Sequence, residues 1–128
     1  MNRAFNLMLG FVLAMPVSAL ADGDPVAGAA AFKACQACHT ATEAKNKVGP
    51  SLQGIVGHPV ATVAGYKYSK AMTDFGAGKV WDDALLAEYL KAPKVLIKGT
   101  KMAFAGVKAD GDIANIIAYL KDPAAAGQ

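Results

Sequence analysis

The chain has 128 residues, is 54% hydrophobic and carries a formal charge of +3. That length holds one small domain. The charge is too mild to argue for nucleic acid, since arginine interleaved with stacking aromatics is absent and Arg3 is the only arginine. Abundant alanine and few β-branched runs favour helix over sheet.

The first residues read as a secretory leader. Asn2-Arg3 is a short positive segment, Leu7 to Ala14 an apolar core broken by Pro16, and Ala19-Leu20-Ala21 a small-x-small cleavage box. Cleavage is predicted after Ala21, so residues 1–21 are a signal peptide and residues 22–128 one exported domain. The alternative, an uncleaved anchor, is opposed by an apolar run short of the roughly 20 residues that span a bilayer.

Asp24-Pro25 supplies an N-cap and a first helical position, and the helix is predicted to run to about Ala34. Gly28 inside it costs about 1 kcal/mol of propensity relative to alanine, which suggests close approach of another helix. Cys35-Gln36-Ala37-Cys38-His39 follows and contains both cysteines of the chain.

C-x-x-C-H is the attachment pattern of c-type haem. On one helical turn, positions i and i+3 share a face, so both sulfurs can bond one side of a porphyrin. The next residue brings its imidazole under the iron. Thiol–disulfide exchange would want the motif after a strand in a βαβ unit, and none surrounds it. A closed zinc site wants four ligands, and the only other histidine is His58. A structural disulfide over so short a loop removes little unfolded-state entropy.

Thr40 to Val48 is predicted as a surface loop, turned by Gly49-Pro50. Ser51 to Gly65 shows no sustained period and reads as irregular backbone wrapped on a flat cofactor. Ser69 is expected to cap a short helix through Phe75 that Gly76 stops. Asp82 caps another, with Leu85, Leu86, Tyr89 and Leu90 at helical spacing. Pro93 is expected to end it, with Lys94 to Phe104 a loop. Asp110 is expected to cap a last helix whose Ile113, Ile116, Ile117 and Leu120 form an amphipathic stripe. Pro123 stops that helix, and Ala124 to Gln128 is expected to fray.

The sequence offers His58, Met72, Met102 and the lysines as a second axial donor. A second histidine would give a low potential, and a thioether a higher one. Met102 lies on an interhelical loop far from His39, whereas Met72 inside a short helix suits core filling. Spacing favours Met102 and leaves Met72 open.

The chain resembles the class I c-type cytochromes, the group of mitochondrial cytochrome c and bacterial cytochrome c2. The resemblance runs nearly the whole length after the leader. It rests on Gly23-Asp24 with Gly28 and Phe32, on Cys35 to Thr40, on Gly49-Pro50-Ser51-Leu52, and on Gly65-Tyr66-Lys67-Tyr68 with Trp81. It continues through Glu88-Tyr89-Leu90, Pro93-Lys94, Lys98-Gly99-Thr100-Lys101-Met102 to Gly106, and Ile117 to Lys121.

The resemblance implies an all-α fold of about four to five short helices around one haem held by Cys35 and Cys38. It implies His39 and Met102 as axial ligands, with the Pro50 carbonyl accepting the Nδ1 proton of His39. Tyr68 and Trp81 would reach the propionates, Tyr89 would bond the Met102 sulfur with Thr100 nearby, and Gly28 and Phe32 would meet Ile116 and Tyr119. Without it, plain core packing is the simpler account of every one of these aromatics.

Two departures stand out, His58 where the family often has arginine and Met72 where it often has asparagine. The first raises the expectation that His58 couples proton uptake to reduction; an exposed histidine without a role is the plain alternative.

The function implied is a monomeric, periplasmic one-electron carrier rather than an enzyme. Its partners would be redox proteins with acidic docking patches: a quinol-oxidising complex as donor, an oxidase or photosynthetic reaction centre as acceptor. Lys33, Lys47, Lys94, Lys98, Lys101 and Lys108 would ring the exposed haem edge and steer docking, although lysines this numerous would cover any face. A haem enzyme or sensor with a labile sixth ligand is the alternative.

Overall fold

Two helices from opposite ends of the chain cross and hold the rest. The computed structural model describes residues 23–127, so the predicted leader, residues 1–21, and its cleavage site lie outside the described residues. Helix α1 spans Pro25–Phe32, and Asp24 caps it by accepting from the Val26 amide at 2.9 Å. A 3₁₀ turn, Lys33–Cys35, carries it into the cysteine motif. Helix α2 spans Lys70–Gly76 behind a Ser69 cap, and α3 spans Asp83–Lys91 behind an Asp82 cap. Helix α4 is the single turn Pro93–Leu96, and α5 spans Asp110–Lys121. The five short helices, with no strand among the described residues, are the expected all-α fold.

The α1–α5 crossing explains Gly28. A Cβ at this position would strike the Asn115 carbonyl and come within 2.8 Å of Tyr119 Cβ. Phe32 stacks on Tyr119 with ring centroids 5.2 Å apart. Ile113, Ile116, Ile117 and Leu120 are all buried, as their spacing requires. The amide of Asp24 donates to Asn115 Oδ1 at 2.8 Å and ties the start of α1 to α5.

The segment from Ser51 to Gly65 is irregular, and its order comes from a second segment. The Gly57 amide donates to the Trp81 carbonyl at 2.7 Å, the Trp81 amide to His58 at 2.9 Å, and the Val60 amide to Lys79 at 3.0 Å. A single antiparallel bridge, Pro59 to Val80, results. Ala61 takes a left-handed φ of 59° in the turn that follows.

Three local expectations are corrected. Asp110 is the first residue of α5 rather than its cap. The cap position is Ala109, without a side-chain bond, and the Asp110 and Asp112 carboxylates in the first turn interact with the helix dipole instead. Pro93 ends α3 but also opens α4, because a proline suits a first helical position, so the loop begins later than Lys94. The tail does not fray across its described part. Pro123–Gly127 forms a 3₁₀ turn, and Ala126 packs on the core.

Candidate haem site

The cysteine motif forms one tight turn. The Cys38 and His39 amides both donate to the Cys35 carbonyl, at 3.2 and 2.9 Å. This places Cys35, Cys38 and His39 on one wall of a cavity of about 590 Å³. Both cysteine side chains are half-buried. Burial, and secondarily the neighbouring Cys38, pushes the Cys35 thiol up.

The imidazole of His39 is fixed from two sides. Its Nδ1 lies 2.7 Å from the Pro50 carbonyl. A carbonyl can only accept, so Nδ1 carries the proton and Nε2 keeps a free lone pair for a metal. The Cε1 corner of the ring lies against Gly49, where a Cβ would collide with Cε1 and come within 2.8 Å of Nδ1 and 2.9 Å of Nε2. The Gly49 amide in turn donates to the Cys38 carbonyl at 2.9 Å. Burial lowers the basicity of His39; the Pro50 bond opposes this, and Lys47 lowers it again.

Another part of the wall comes from the loop after α4. Gly99 has a φ of 92°, which only glycine adopts freely, and a Cβ there would lie 3.2 Å from Ala71 Cβ on α2. The Thr100 amide donates to Ile97 at 3.1 Å, and Thr100 Oγ1 accepts from the Met102 amide at 3.3 Å. Lys101 Nζ donates to the Lys67 carbonyl at 2.9 Å, clasping the loop to the chain before α2. Met102 is half-buried on the cavity wall.

The aromatic residues line the same space. Tyr89 Oη pairs with Thr100 Oγ1 at 2.8 Å. Thr100, placed by the Gly99 turn, thus stands beside Tyr89 as the resemblance implies. Burial raises the Tyr89 hydroxyl, and the Thr100 bond partly offsets that. Trp81 packs on Tyr89 with centroids 5.2 Å apart. Tyr68 stands edge-on to Tyr66 at 4.8 Å, and its hydroxyl accepts from the Val63 amide at 3.2 Å.

All nine residues singled out from the sequence, Cys35, Cys38, His39, Pro50, Tyr68, Trp81, Tyr89, Thr100 and Met102, line this one cavity. His58 does not; its Nδ1 faces Thr62 Oγ1 at 3.1 Å instead. Sequence reading missed Gly49 as the seat of the imidazole, Lys67 as the clasp of the Met102 loop, and Asn46. The last receives the Ser51 amide and donates to the Ala64 carbonyl, each at 2.9 Å. None of these carries a local signal, because each acts through a carbonyl or ring distant in sequence.

The residues fit a c-type haem. Two thiols on one turn, an imidazole with its lone pair free and a thioether share a cavity otherwise walled by Phe32, Leu52, Ile55, Leu86, Leu90 and Ile116. Its volume lies within the roughly 300–1,000 Å³ of small-molecule and cofactor sites. Lys33, Lys47, Lys94, Lys98, Lys101 and Lys108 are all exposed. The ion pairs among the described residues use Lys70, Lys91 and Lys121 instead. No helix among the described residues is long and apolar enough to cross a membrane.

The family model described as Cytochrome c matches residues 25–123. Cytochrome c-550 of Nitrobacter winogradskyi is 48% identical over 99 residues, which cover 77% of this chain and 89% of the relative. Cytochrome c2 of Rhodomicrobium vannielii is 43% identical over 114 residues, covering 88% and 90%. Among solved structures, cytochrome cH from Methylobacterium extorquens superposes with a TM-score of 0.72 at 43% identity, covering 77% of this chain and 98% of its own.

Proposed function

Because the chain belongs to the cytochrome c family, we propose that it is a one-electron carrier whose iron is held between His39 and Met102. The chain carries one c-type haem, attached through Cys35 and Cys38. The observation that supports the ligand assignment best is the shared cavity: both thiols, the His39 ring and the Met102 side chain line one space.

When bound, the haem supplies a ferric–ferrous couple whose potential depends on axial ligand, burial and hydrogen bonding. The residues have distinct tasks. Pro50 holds His39 in the tautomer that presents Nε2. Gly49 lets the ring lie against the backbone. Thr100 orders the Met102 loop through the Met102 amide and is itself held by Tyr89. Trp81 and Tyr68 give the cavity its polar-edged aromatic wall, and we assign them to the propionate side. His39 and Met102 would hold the iron and leave it no position for a substrate, which supports electron transfer without catalysis of a reaction.

The leader predicted over residues 1–21 supports export and a periplasmic place of work. The exposed lysines outside the ion pairs of the described residues support docking to acidic patches on a quinol-oxidising donor and on an oxidase or reaction-centre acceptor. The test is reconstitution. Holoprotein added to washed membranes that contain donor and acceptor complexes should restore quinol-dependent electron flow, and the second-order rate should fall as salt rises. No restoration would sink the carrier reading, and a rate indifferent to salt would sink the lysine steering.

A further inference from the structure

Both methionines among the described residues, Met72 and Met102, line the one cavity. Both are half-buried and pack against the core from its edge. Met72 is the third residue of α2, where its amide donates to Ser69 Oγ at 3.1 Å. A helical side chain leans back toward the N-terminus of its helix, here toward Tyr68 and Ser69, which line the cavity too.

The first turn of α2 also touches the loop that bears Met102. Ala71 Cβ would lie 3.2 Å from a Cβ at Gly99, and the Lys101–Lys67 clasp closes the same seam at 2.9 Å. The two thioethers therefore stand on adjoining segments.

We propose that Met72 is a second thioether donor to the haem iron, able to take the axial position when Met102 leaves it. The inference rests on the His39–Met102 reading. The side chain suits the task, since methionine has three rotatable side-chain bonds and a polarisable sulfur that adapts to irregular space. Lys67 and Lys101 also line the cavity, with Lys101 Nζ held on the Lys67 carbonyl at 2.9 Å, and their amines are the competing nitrogen donors. An amine must lose its proton to bind a metal, whereas a thioether has none to lose.

The experiment uses ferric holoprotein near neutral pH and reads the sulfur-to-iron charge-transfer band and the spin state. Met102→Ala should keep a sulfur band and low-spin iron, and Met72→Leu in that background should abolish both. A high-spin Met102→Ala protein overturns the proposal. So does low-spin iron without a sulfur band, which would mark an amine, and so does a band that survives the double substitution. A parent protein without any sulfur band would instead defeat the assignment of Met102 itself. Should Met102→Ala fail to fold, Met72→Leu in the parent answers the same question through imidazole binding. Loss of the reserve donor should speed imidazole capture several-fold, and an unchanged rate overturns the proposal.

Discussion

The Nδ1 of His39 donates to the Pro50 carbonyl across 2.7 Å, while the Cε1 corner of the same ring rests against Gly49. Two consecutive residues thus set both the tautomer and the tilt of the imidazole. That explains why a Gly-Pro pair follows the cysteine motif at this distance. Proline positions its carbonyl with a fixed φ, and glycine removes the one atom that would collide.

Gly49→Ala should therefore displace the ring. The expected cost is about 1–3 kcal/mol of stability, typical of forced overpacking. Denaturant unfolding of the holoprotein measures it, together with a rise in high-spin ferric absorption. Gly111→Ala, where a Cβ would meet nothing, is the control and should leave the spectrum unchanged.

Acid should release His39 only below the range where histidine ordinarily titrates. Burial lowers its basicity, the Pro50 bond opposes and Lys47 adds to the lowering. A folded-state value below the unfolded one favours the neutral ring. Its contribution is present above the ordinary value of 6.5 and is lost as pH falls through the lowered folded value. Iron held on Nε2 excludes the same proton, so in the holoprotein the conversion of ferric low-spin to high-spin iron should centre further below the ordinary histidine value of 6.5. A midpoint at or above that value would contradict the account.

The Tyr89–Thr100 pair should appear as a coupling energy. Tyr89→Phe and Thr100→Val each remove one side of the 2.8 Å bond. A double-mutant cycle on the holoprotein should return about 0.5–1.5 kcal/mol of coupling. Zero coupling would mean that the Tyr89–Thr100 pair does not form in the holoprotein.

Much of this was legible because the signals are local. Asp24-Pro25, Ser69 and Asp82 begin helices by short-range capping chemistry, and the isoleucine stripe of α5 follows from period alone. The Cys35–His39 turn needs no tertiary context either. Asp110 misled because a carboxylate in the first turn and one at the cap look alike in sequence. The tail beyond Pro123 misled because its order comes from packing on the core. Only the family resemblance sets Tyr89 beside Met102 and Thr100 in advance, because the Gly99 turn that brings Thr100 Oγ1 to its hydroxyl leaves no local signal at Tyr89. The clasp from Lys101 to the Lys67 carbonyl spans 34 positions and uses a backbone acceptor, so no residue type announces it.

Ala61 is a place where the chain accepts strain. Its φ of 59° is left-handed without the relief a glycine would give. Ala61→Gly should stabilise the holoprotein by about 0.5–1 kcal/mol, the left-handed cost less the added chain entropy. Thermal or denaturant unfolding checks this, and a destabilised variant would show that the methyl group contributes more in packing than the turn costs.

The central claim is a haem closed on both sides by His39 and Met102, and one spectroscopic redox titration of the holoprotein tests it most directly. The account predicts a single reversible one-electron wave, low-spin spectra at both ends, a sulfur-to-iron band in the ferric form and no carbon monoxide binding by the ferrous form. High-spin ferric iron, or ferrous iron that binds carbon monoxide without denaturant, would contradict it and would mark the site as one built to take a ligand.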